Sequence, residues 1–532
     1  MMETSAIDYE AAKAKAETNV TEHDDTMAND DVSIADGTVS SSATDHIVKL
    51  RAKYGFLRFL HRGDLWLQKH AGVDTVGAER IPPDQRIELN SLTMATFWFA
   101  INMNPGVLVS GVIGSGLYGL SVVEAILIGL VATMLGALGP AFSATLCPPT
   151  GLRQIAVSRF TFGIWGAKLC SIMNVVIEVG YAVPTSIAGG QLISTISGGK
   201  VNTAIGIIVI TAVSWFLSVL GLRAIHLYNQ YSWIIVFSLL INVFVVARPF
   251  FNPEPTHRYA EGMTHTAGCL SYFSIVFGST ISWSTFSGDF YVQYRADVSK
   301  LKVFIYTYLG TILPWCLVFP LGAEIGGIYV SNPEFFTIFN AQSIGGVVSY
   351  FIHPDAWATF VSVIFALSFI AGQSAQIYSS GISMQLLGTY FQVIPHFIWN
   401  TLVAGIILGL AWGGQNSLLA ILSNFTALLG YWVLLFVGCM ALEHFIFRPR
   451  LGGYNAEGWQ DSKAMPLGLA GVTTMWVGYA LTFLGMAQTW YTGPLAKLIG
   501  DYGGDVGPFI SATTCIVLYP ILRHFEIKRF GR

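Results

Sequence analysis

The chain is a series of long apolar runs parted by short polar breaks. A helix needs roughly 20 mostly apolar residues to cross a bilayer. Runs of that kind fall near 93–117, 120–143, 168–197, 202–222, 230–248, 267–288, 303–327, 357–388, 397–413, 416–444, 465–487 and 505–524. The pattern predicts an all-α polytopic membrane protein with twelve transmembrane helices. The ninth run is short, and its boundary with the tenth is blurred by glycine. Two polar stretches come first. Residues 1–45 carry 11 acidic residues, two lysines and one aromatic, Tyr9. Such a segment buries too little apolar surface to offset its ordering entropy, so a disordered cytoplasmic tail is expected. It has neither the basic start nor the apolar core of a signal peptide. Residues 46–92 reverse the sign. Lys49, Arg51, Lys53, Arg58, Arg62 and Lys69 alternate there with Tyr54, Phe56, Leu60 and Trp66. This reads as a basic amphipathic juxtamembrane segment lying against anionic headgroups. The membrane domain then covers 93–525, and 526–532 form a short basic tail.

The basic residues give the count a direction. With both termini in the cytoplasm, 24 of the 28 Lys and Arg lie inside, and only Lys200, Arg248, Arg258 and Lys497 lie outside. That split obeys the positive-inside rule, and moving the count by one span scrambles it. Composition agrees. Hydrophobic residues make up 53% and charged residues 11%, less than half the charge of an ordinary soluble chain. Mean hydropathy is +0.57. The lipid bilayer must be the main solvent, which excludes a soluble enzyme, a nucleic-acid binder and a secreted disulfide scaffold. The six cysteines, at 147, 170, 269, 316, 439 and 515, show no metal-ligand spacing and read as small apolar side chains. No metalloprotease motif or acidic cluster marks a membrane enzyme. No cofactor and no metal are expected.

Four spans carry polar chemistry. The first holds Trp98-Phe99-Ala100-Ile101-Asn102-Met103-Asn104-Pro105-Gly106. Pro and Gly in mid-span free backbone groups, which must then face protein or a watered cavity. Asn102 is either part of a solute site at that break or a partner for loose backbone. The sixth span runs into Gly278-Ser279-Thr280-Ile281-Ser282-Trp283-Ser284-Thr285-Phe286-Ser287-Gly288-Asp289. Spans one and six hold corresponding places in two five-helix halves. Interruptions at such places point to an inverted-repeat transporter site. In the third span Asn174, Glu178, Tyr181 and Thr185 share one face at spacings of four, three and four. Glu178 is either a functional carboxylate, for solute contact or proton coupling, or a neutral structural carboxyl. In the eighth span Gln373, Gln376 and Ser380 share a face. A Gln amide donates and accepts together, which suits the edge of a heterocycle, although interhelical bonding uses it equally well. Trp98, Tyr181 and Trp283 lie beside these faces and could sandwich a flat ring.

These residues come with others in a recognisable order. They are Glu79-Arg80-Ile81-Pro82-Pro83-Asp84-Gln85-Arg86, Trp98-Phe99 with Asn102, Ser158-Arg159-Phe160 with Phe162-Gly163, Ile187-Ala188-Gly189-Gly190-Gln191, Trp283-Ser284-Thr285-Phe286 with Asp289, and Tyr378-Ser379 before Gln385. From about residue 75 to 525 the chain resembles the fungal purine–cytosine permease group of the nucleobase–cation symporter-1 family. The resemblance implies a LeuT-like broken-helix core of five plus five inverted-repeat helices, with two extra helices outside it. It implies proton-coupled import of a small heterocyclic solute across the plasma membrane. Family solute positions fall on Asn102, Tyr181, Thr185, Trp283, Gln373 and Gln376, and Asp289 falls where gating or loop anchoring is expected. The chain has Ala100, Tyr181, Thr185 and the run Gly372-Gln373-Ser374-Ala375-Gln376 where the family commonly has Ser, Trp, Asn and an Asn-rich run. A related heteroaromatic such as pyridoxine, a nucleoside or an allantoin-like compound therefore stays open beside cytosine and purines. So does a sensor that binds without transporting. Ser368 and nearby hydroxyls leave sodium open beside the proton. Oligomeric state is not legible.

Overall fold

Every apolar run becomes helix. The computed structural model describes residues 77–86, 92–251 and 261–532. The expected acidic tail and the basic amphipathic stretch at 46–70 lie outside the described residues. The first run forms α1 (Leu92–Asn102) and α2 (Pro105–Val112). Then follow α3 (Val122–Ala144), α4 (Gln154–Ile196), α5 (Thr203–Leu220), α6 (Leu222–Ala247), α7 (Gly262–Ile281) and α8 (Lys300–Ser331). Two short helices, α9 (Pro333–Gln342) and α10 (Ile344–Phe351), lead to α11 (Asp355–Gln385). The chain closes with α12 (His396–Gly414), α13 (Leu418–Leu442), α14 (Leu469–Thr482) and α15 (Gly507–Phe530). Among the described residues, eight helices are long and apolar enough to cross a membrane, and nine if the bent first pair counts as one span. α7, α14 and α15 occupy the sixth, eleventh and twelfth runs but fall short of that measure. α14 has 14 residues, a rise of about 21 Å, and α15 carries Arg523, Lys528 and Arg529.

The helices are apolar on the outside and small within. α3 exposes Val123, Leu127, Val131, Leu135 and Leu138 every third or fourth residue, a lipid-facing stripe. Its buried positions are Ala125, Gly129, Ala132, Gly136 and Gly139, which let neighbouring backbones approach. The same device joins α7 to α13. A Cβ on Gly430 would stand 2.4 Å from the Cα of Gly278. α4 is 43 residues long, too long for one crossing, and it breaks at Gly163, which has φ of 66°. Any side chain there would also strike the Leu467 and Pro466 carbonyls at 2.5 and 2.6 Å. The third apolar run therefore marks only the part of α4 after the break. The earlier part holds Gln154 and Arg159, buried with the Arg159 guanidinium toward the carbonyls of Trp459 and Leu386. The fifth apolar run, expected at 230–248, likewise marks only the later part of α6. The helix begins at Leu222 instead, because Leu222, Ile225 and Asn229 pack inward.

The last two helices are tied to α13 at both its ends. Near its start a hairpin pairs β1 (Ala487–Gln488) with β2 (Tyr491–Thr492). Thr489 at its tip donates from N and Oγ1 to Asn424 Oδ1 at 2.9 and 2.7 Å. Gln488 Nε2 donates to Tyr431 Oη and Asp505 Oδ2, both at 3.0 Å. Beyond the other end, buried Glu443 accepts from Arg448 Nε at 2.8 Å, from Arg523 Nε and Nη2 at 3.0 Å each, and from Tyr519 at 2.7 Å. Removing one member of a buried ion cluster leaves the others uncompensated, at about 3–5 kcal/mol. Glu443→Ala should therefore lower the melting temperature of the purified protein in detergent sharply, and Glu443→Asp less so. An unchanged melting temperature for Glu443→Ala would show that this cluster does not hold α15 in place.

Candidate functional site

The site begins at the break in the first span. α1 and α2 meet at 54°. Asn104 makes the break tolerable. Its Nδ2 donates to the Ile101 carbonyl at 2.7 Å, and its Oδ1 accepts from Gly106 N at 2.8 Å. One side chain thus satisfies a carbonyl released by α1 and caps α2. Asn102 is held on both sides. Its Nδ2 donates to the Trp98 carbonyl at 2.9 Å, and its Oδ1 accepts from Trp315 Nε1 at 3.1 Å. Trp98 is fixed in turn by Tyr291, at 2.6 Å from its indole nitrogen.

The end of α7 repeats the logic with hydroxyls. After Ile281 the chain winds through 3₁₀ turns, Ser282–Thr285 and Ser287–Phe290. Ser282 Oγ returns to the Gly278 carbonyl at 2.7 Å, and Thr285 Oγ1 to the Ser282 carbonyl at 3.2 Å. The Tyr181 hydroxyl of α4 meets both Ser282 Oγ, at 2.9 Å, and the Gly278 carbonyl, at 3.1 Å. Between the two interrupted segments lies a cavity enclosing about 800 Å³ of atom-free space, its open mouth included. Asn102, Tyr181, Thr185, Trp283, Trp315 and Gln376 line it. Trp283 is braced edge-on by Trp98, with ring centroids 5.6 Å apart at 84°. The Trp283 ring lies beside α11 at Gly372, where a Cβ would stand 3.9 Å from Cη2, an ordinary contact. Gln376 is one turn further along the same face. It is 5% exposed, and its Oε1 has no hydrogen-bond partner among the described residues.

At the far end of α4 and α11 the chain is knotted by polar contacts. Asp289 Oδ1 accepts from Gln154 N at 2.8 Å and Oδ2 from Ser379 Oγ at 2.9 Å. Arg153 donates to the Asp289 carbonyl at 2.9 Å and to the Tyr378 hydroxyl at 3.0 Å. The segment before α1 docks on the same end. Ala78 N donates to Gln385 Oε1 at 3.0 Å, and Ile81 N to the Gly151 carbonyl at 2.9 Å.

Residues 81–507 match the family described as permeases for cytosine/purines, uracil, thiamine and allantoin. The chain belongs to this family. The purine–cytosine permease fcyB of Emericella nidulans is 29% identical, over 88% of this permease and 91% of that relative. The vitamin B6 transporter TPN1 of Saccharomyces cerevisiae is 26% identical, over 93% and 95%. Among solved structures, the nucleobase-cation-symport-1 transporter Mhp1, closed with bromovinylhydantoin bound, superposes with a TM-score of 0.62 at 14% identity. That match covers 87% of this permease and 96% of Mhp1. A sodium-coupled sialic acid symporter follows at 0.58 and 12% identity, covering 91% and 98%. At these identities the likeness shows the fold: the permease is an all-helical, multi-pass membrane protein of the LeuT-like class. It is a transporter, not an enzyme.

The permease brings five of the expected site residues to one cavity: Asn102, Tyr181, Thr185, Trp283 and Gln376. Gln373 and Glu178 do not line it. Gln373 turns toward α4, its Nε2 donating to Ser186 Oγ at 2.6 Å, and Ser186 in turn bonds Thr211 of α5. Glu178 is buried at 1% exposure, one turn along α4 from Asn174, which bonds Ser383 of α11. Trp98 backs Trp283 and does not face the cavity. Asp289 anchors the polar knot. The sequence reading did not single out Trp315 or Phe369. Phe369 had a signal, because 369, 372 and 376 share a helical face. Trp315 had none, because its place depends on how α8 packs on α1. The break yields a direct test. Asn104→Ala takes the side-chain partner from the Ile101 carbonyl and from the Gly106 amide, at about 1–3 kcal/mol. It should melt at a lower temperature than Asn104→Ser, which keeps a capping acceptor. Equal melting of the two variants would mean that the cap does not support the break.

Proposed function

We propose that this protein is a proton-coupled symporter of the plasma membrane that imports nucleobase-like heterocycles such as cytosine and purines. The observation that carries the reading is Gln376, which lines the cavity beside Trp283 and whose amide oxygen has no hydrogen-bond partner among the described residues. An amide that donates and accepts side by side matches the paired N–H and C=O edge of a nucleobase. An indole face held rigid from behind offers a stacking surface for its ring. Family membership supports the transport reading. The architecture would then be twelve spans, with α7, α14 and α15 crossing as well. α1 to α6 and α7 to α13 would form the two five-span repeats, leaving α14 and α15 outside. The distribution of Lys and Arg supports placing both termini, and the Arg153–Asp289 knot, in the cytoplasm. That knot would be the inner gate. A second reading, a pyridoxine-type vitamin, is favoured by the likeness to the vitamin B6 transporter.

Labelled uptake in yeast lacking its own nucleobase and pyridoxine permeases tests both. Accumulation of cytosine or a purine that a protonophore abolishes is the expected result. Pyridoxine accumulation alone would move the substrate to the second reading. No accumulation of either, from protein shown to reach the cell surface, would overturn both. Within the first reading, Gln376→Ala removes about 1–1.5 kcal/mol of hydrogen bonding. KM should rise roughly tenfold. Trp283→Ala should lose uptake that Trp283→Phe partly keeps. An unaltered KM in both Ala variants would place the solute elsewhere.

A further inference from the structure

α4 and α11 pack against each other, and two side-chain bonds cross between them. Asn174 Nδ2 donates to Ser383 Oγ at 2.8 Å, and Gln373 Nε2 donates to Ser186 Oγ at 2.6 Å. Low number pairs with high, so the helices run antiparallel and the rungs between the two bonds are fixed. One turn inward from Asn174 is Glu178, and one turn inward from Ser383 is Ser380. Glu178 and Ser380 therefore share a level, and Gln376 is the next rung toward the cavity that it lines. Neither helix carries Lys or Arg between the two bonds.

Five atoms on this seam meet no hydrogen-bond partner among the described residues: Asn174 Oδ1, Glu178 Oε1, Gln373 Oε1, Gln376 Oε1 and Ser380 Oγ. Their residues are all at most 5% exposed. Each such atom costs about 1–3 kcal/mol if nothing bonds it. Four of them, on Gln376, Glu178, Ser380 and Asn174, follow one another along the seam away from the cavity, a column of acceptors that only small donors can reach. Water and a proton fit that description. The groups around Glu178 are few. Asp289 acts on it electrostatically, with Arg153 bonded to the Asp289 carbonyl. Tyr181 is one turn away, its hydroxyl committed to Ser282 and Gly278. Tyr378 and His396 lie in ring contact at 5.5 Å. α5 offers no titratable residue, and on α13 Tyr431 is bonded to Asp505 and Cys439 faces Cys515.

We infer that this column is the binding site of the coupling proton, with Glu178 as its carrier and the Ser380–Asn174 rungs as its exit to the cytoplasm. The inference rests on the symport reading above and adds where the proton sits. Hydronium reaching the cavity gives its proton to the Glu178 carboxylate and leaves water behind. The neutral acid has an O–H that the carboxylate lacks, and it donates to a neighbouring acceptor, Ser380 Oγ or Gln376 Oε1. Through Gln376 the protonated state is felt in the solute cavity. When the inner end opens, the proton passes to water between Ser380 and Asn174, and the carboxylate is restored.

The test uses full-length protein in liposomes loaded with a pH-sensitive dye. In the wild type, inward cytosine should acidify the lumen. Glu178→Gln should retain cytosine counterflow at close to the wild-type rate, lose acidification and lose the dependence of uptake on external pH. Ser380→Ala should slow acidification more than counterflow. Acidification by Glu178→Gln at the wild-type ratio to cytosine, or a sodium requirement in place of the proton, would overturn the inference. If the wild type carries no cytosine, the solute reading fails by itself. An infrared titration of the solute-free protein then decides the proton site. A protonated-carboxyl band that disappears in Glu178→Gln supports it, and a band unchanged by that substitution refutes it.

Discussion

A backbone inside hydrocarbon has no water to turn to, and the whole site follows from how this chain meets that constraint at one bend. Proline and glycine open the first span at 105 and 106, and the opening would be untenable in lipid without partners for the freed groups. Asn104 supplies two of them at once. Asn102 and Trp315 brace the wall beside it, and Tyr291 fixes Trp98 behind. The second interruption, after α7, is made tolerable by serine and threonine hydroxyls that fold back on their own turn. The cavity is the space that two such local repairs leave between them. Polar side chains near it therefore divide into those consumed in holding backbone and those left over. Asn102, Asn104 and Tyr181 belong to the first group, and Gln376 to the second.

The two ends of the cavity are closed by different physics. Toward the start of α13 the wall is apolar, with Leu418 and Leu422. Toward Asp289 it is a network in which α4, α11, the 3₁₀ segment and the stretch before α1 share hydrogen bonds. Apolar contacts can slide by small increments. A network of directed bonds around a buried carboxylate releases more nearly as a unit, because half-broken buried polar groups are costly.

Much of the arrangement could be read in advance, and the failures have identifiable causes. Each apolar run in the described residues falls on helix, because burial in lipid needs no partner to be legible, but the short α9 and α10 and the first part of α4 lie outside the runs. The Asn-Pro-Gly run and the hydroxyl-rich end of the sixth run marked both interruptions, since the breaking residues and their repairs are adjacent in sequence. The third-span face of Asn174, Glu178, Tyr181 and Thr185 is divided in depth. The two upper residues reach the cavity and Glu178 lies below it. Gln373 and Gln376, three residues apart, differ in direction by about 60° around the helix. That difference turns one toward Ser186 of α4 and the other toward the cavity, and only the crossing of α4 over α11 decides which. Trp315 and the hairpin at 487–492 depend on long-range packing and left no local mark.

The hairpin gives the two outer helices more than a peripheral place. Its tip grips Asn424 through two hydrogen bonds, only two residues past Leu422 on the cavity wall. Any outward swing of the first turns of α13 has to release that grip. Two hydrogen bonds of about 0.5–1.5 kcal/mol each amount to a brake of roughly five- to 150-fold on such a swing. The two outer helices, which do not line the cavity, would then act as a governor on the door, setting the pace of the cycle without touching what passes through it.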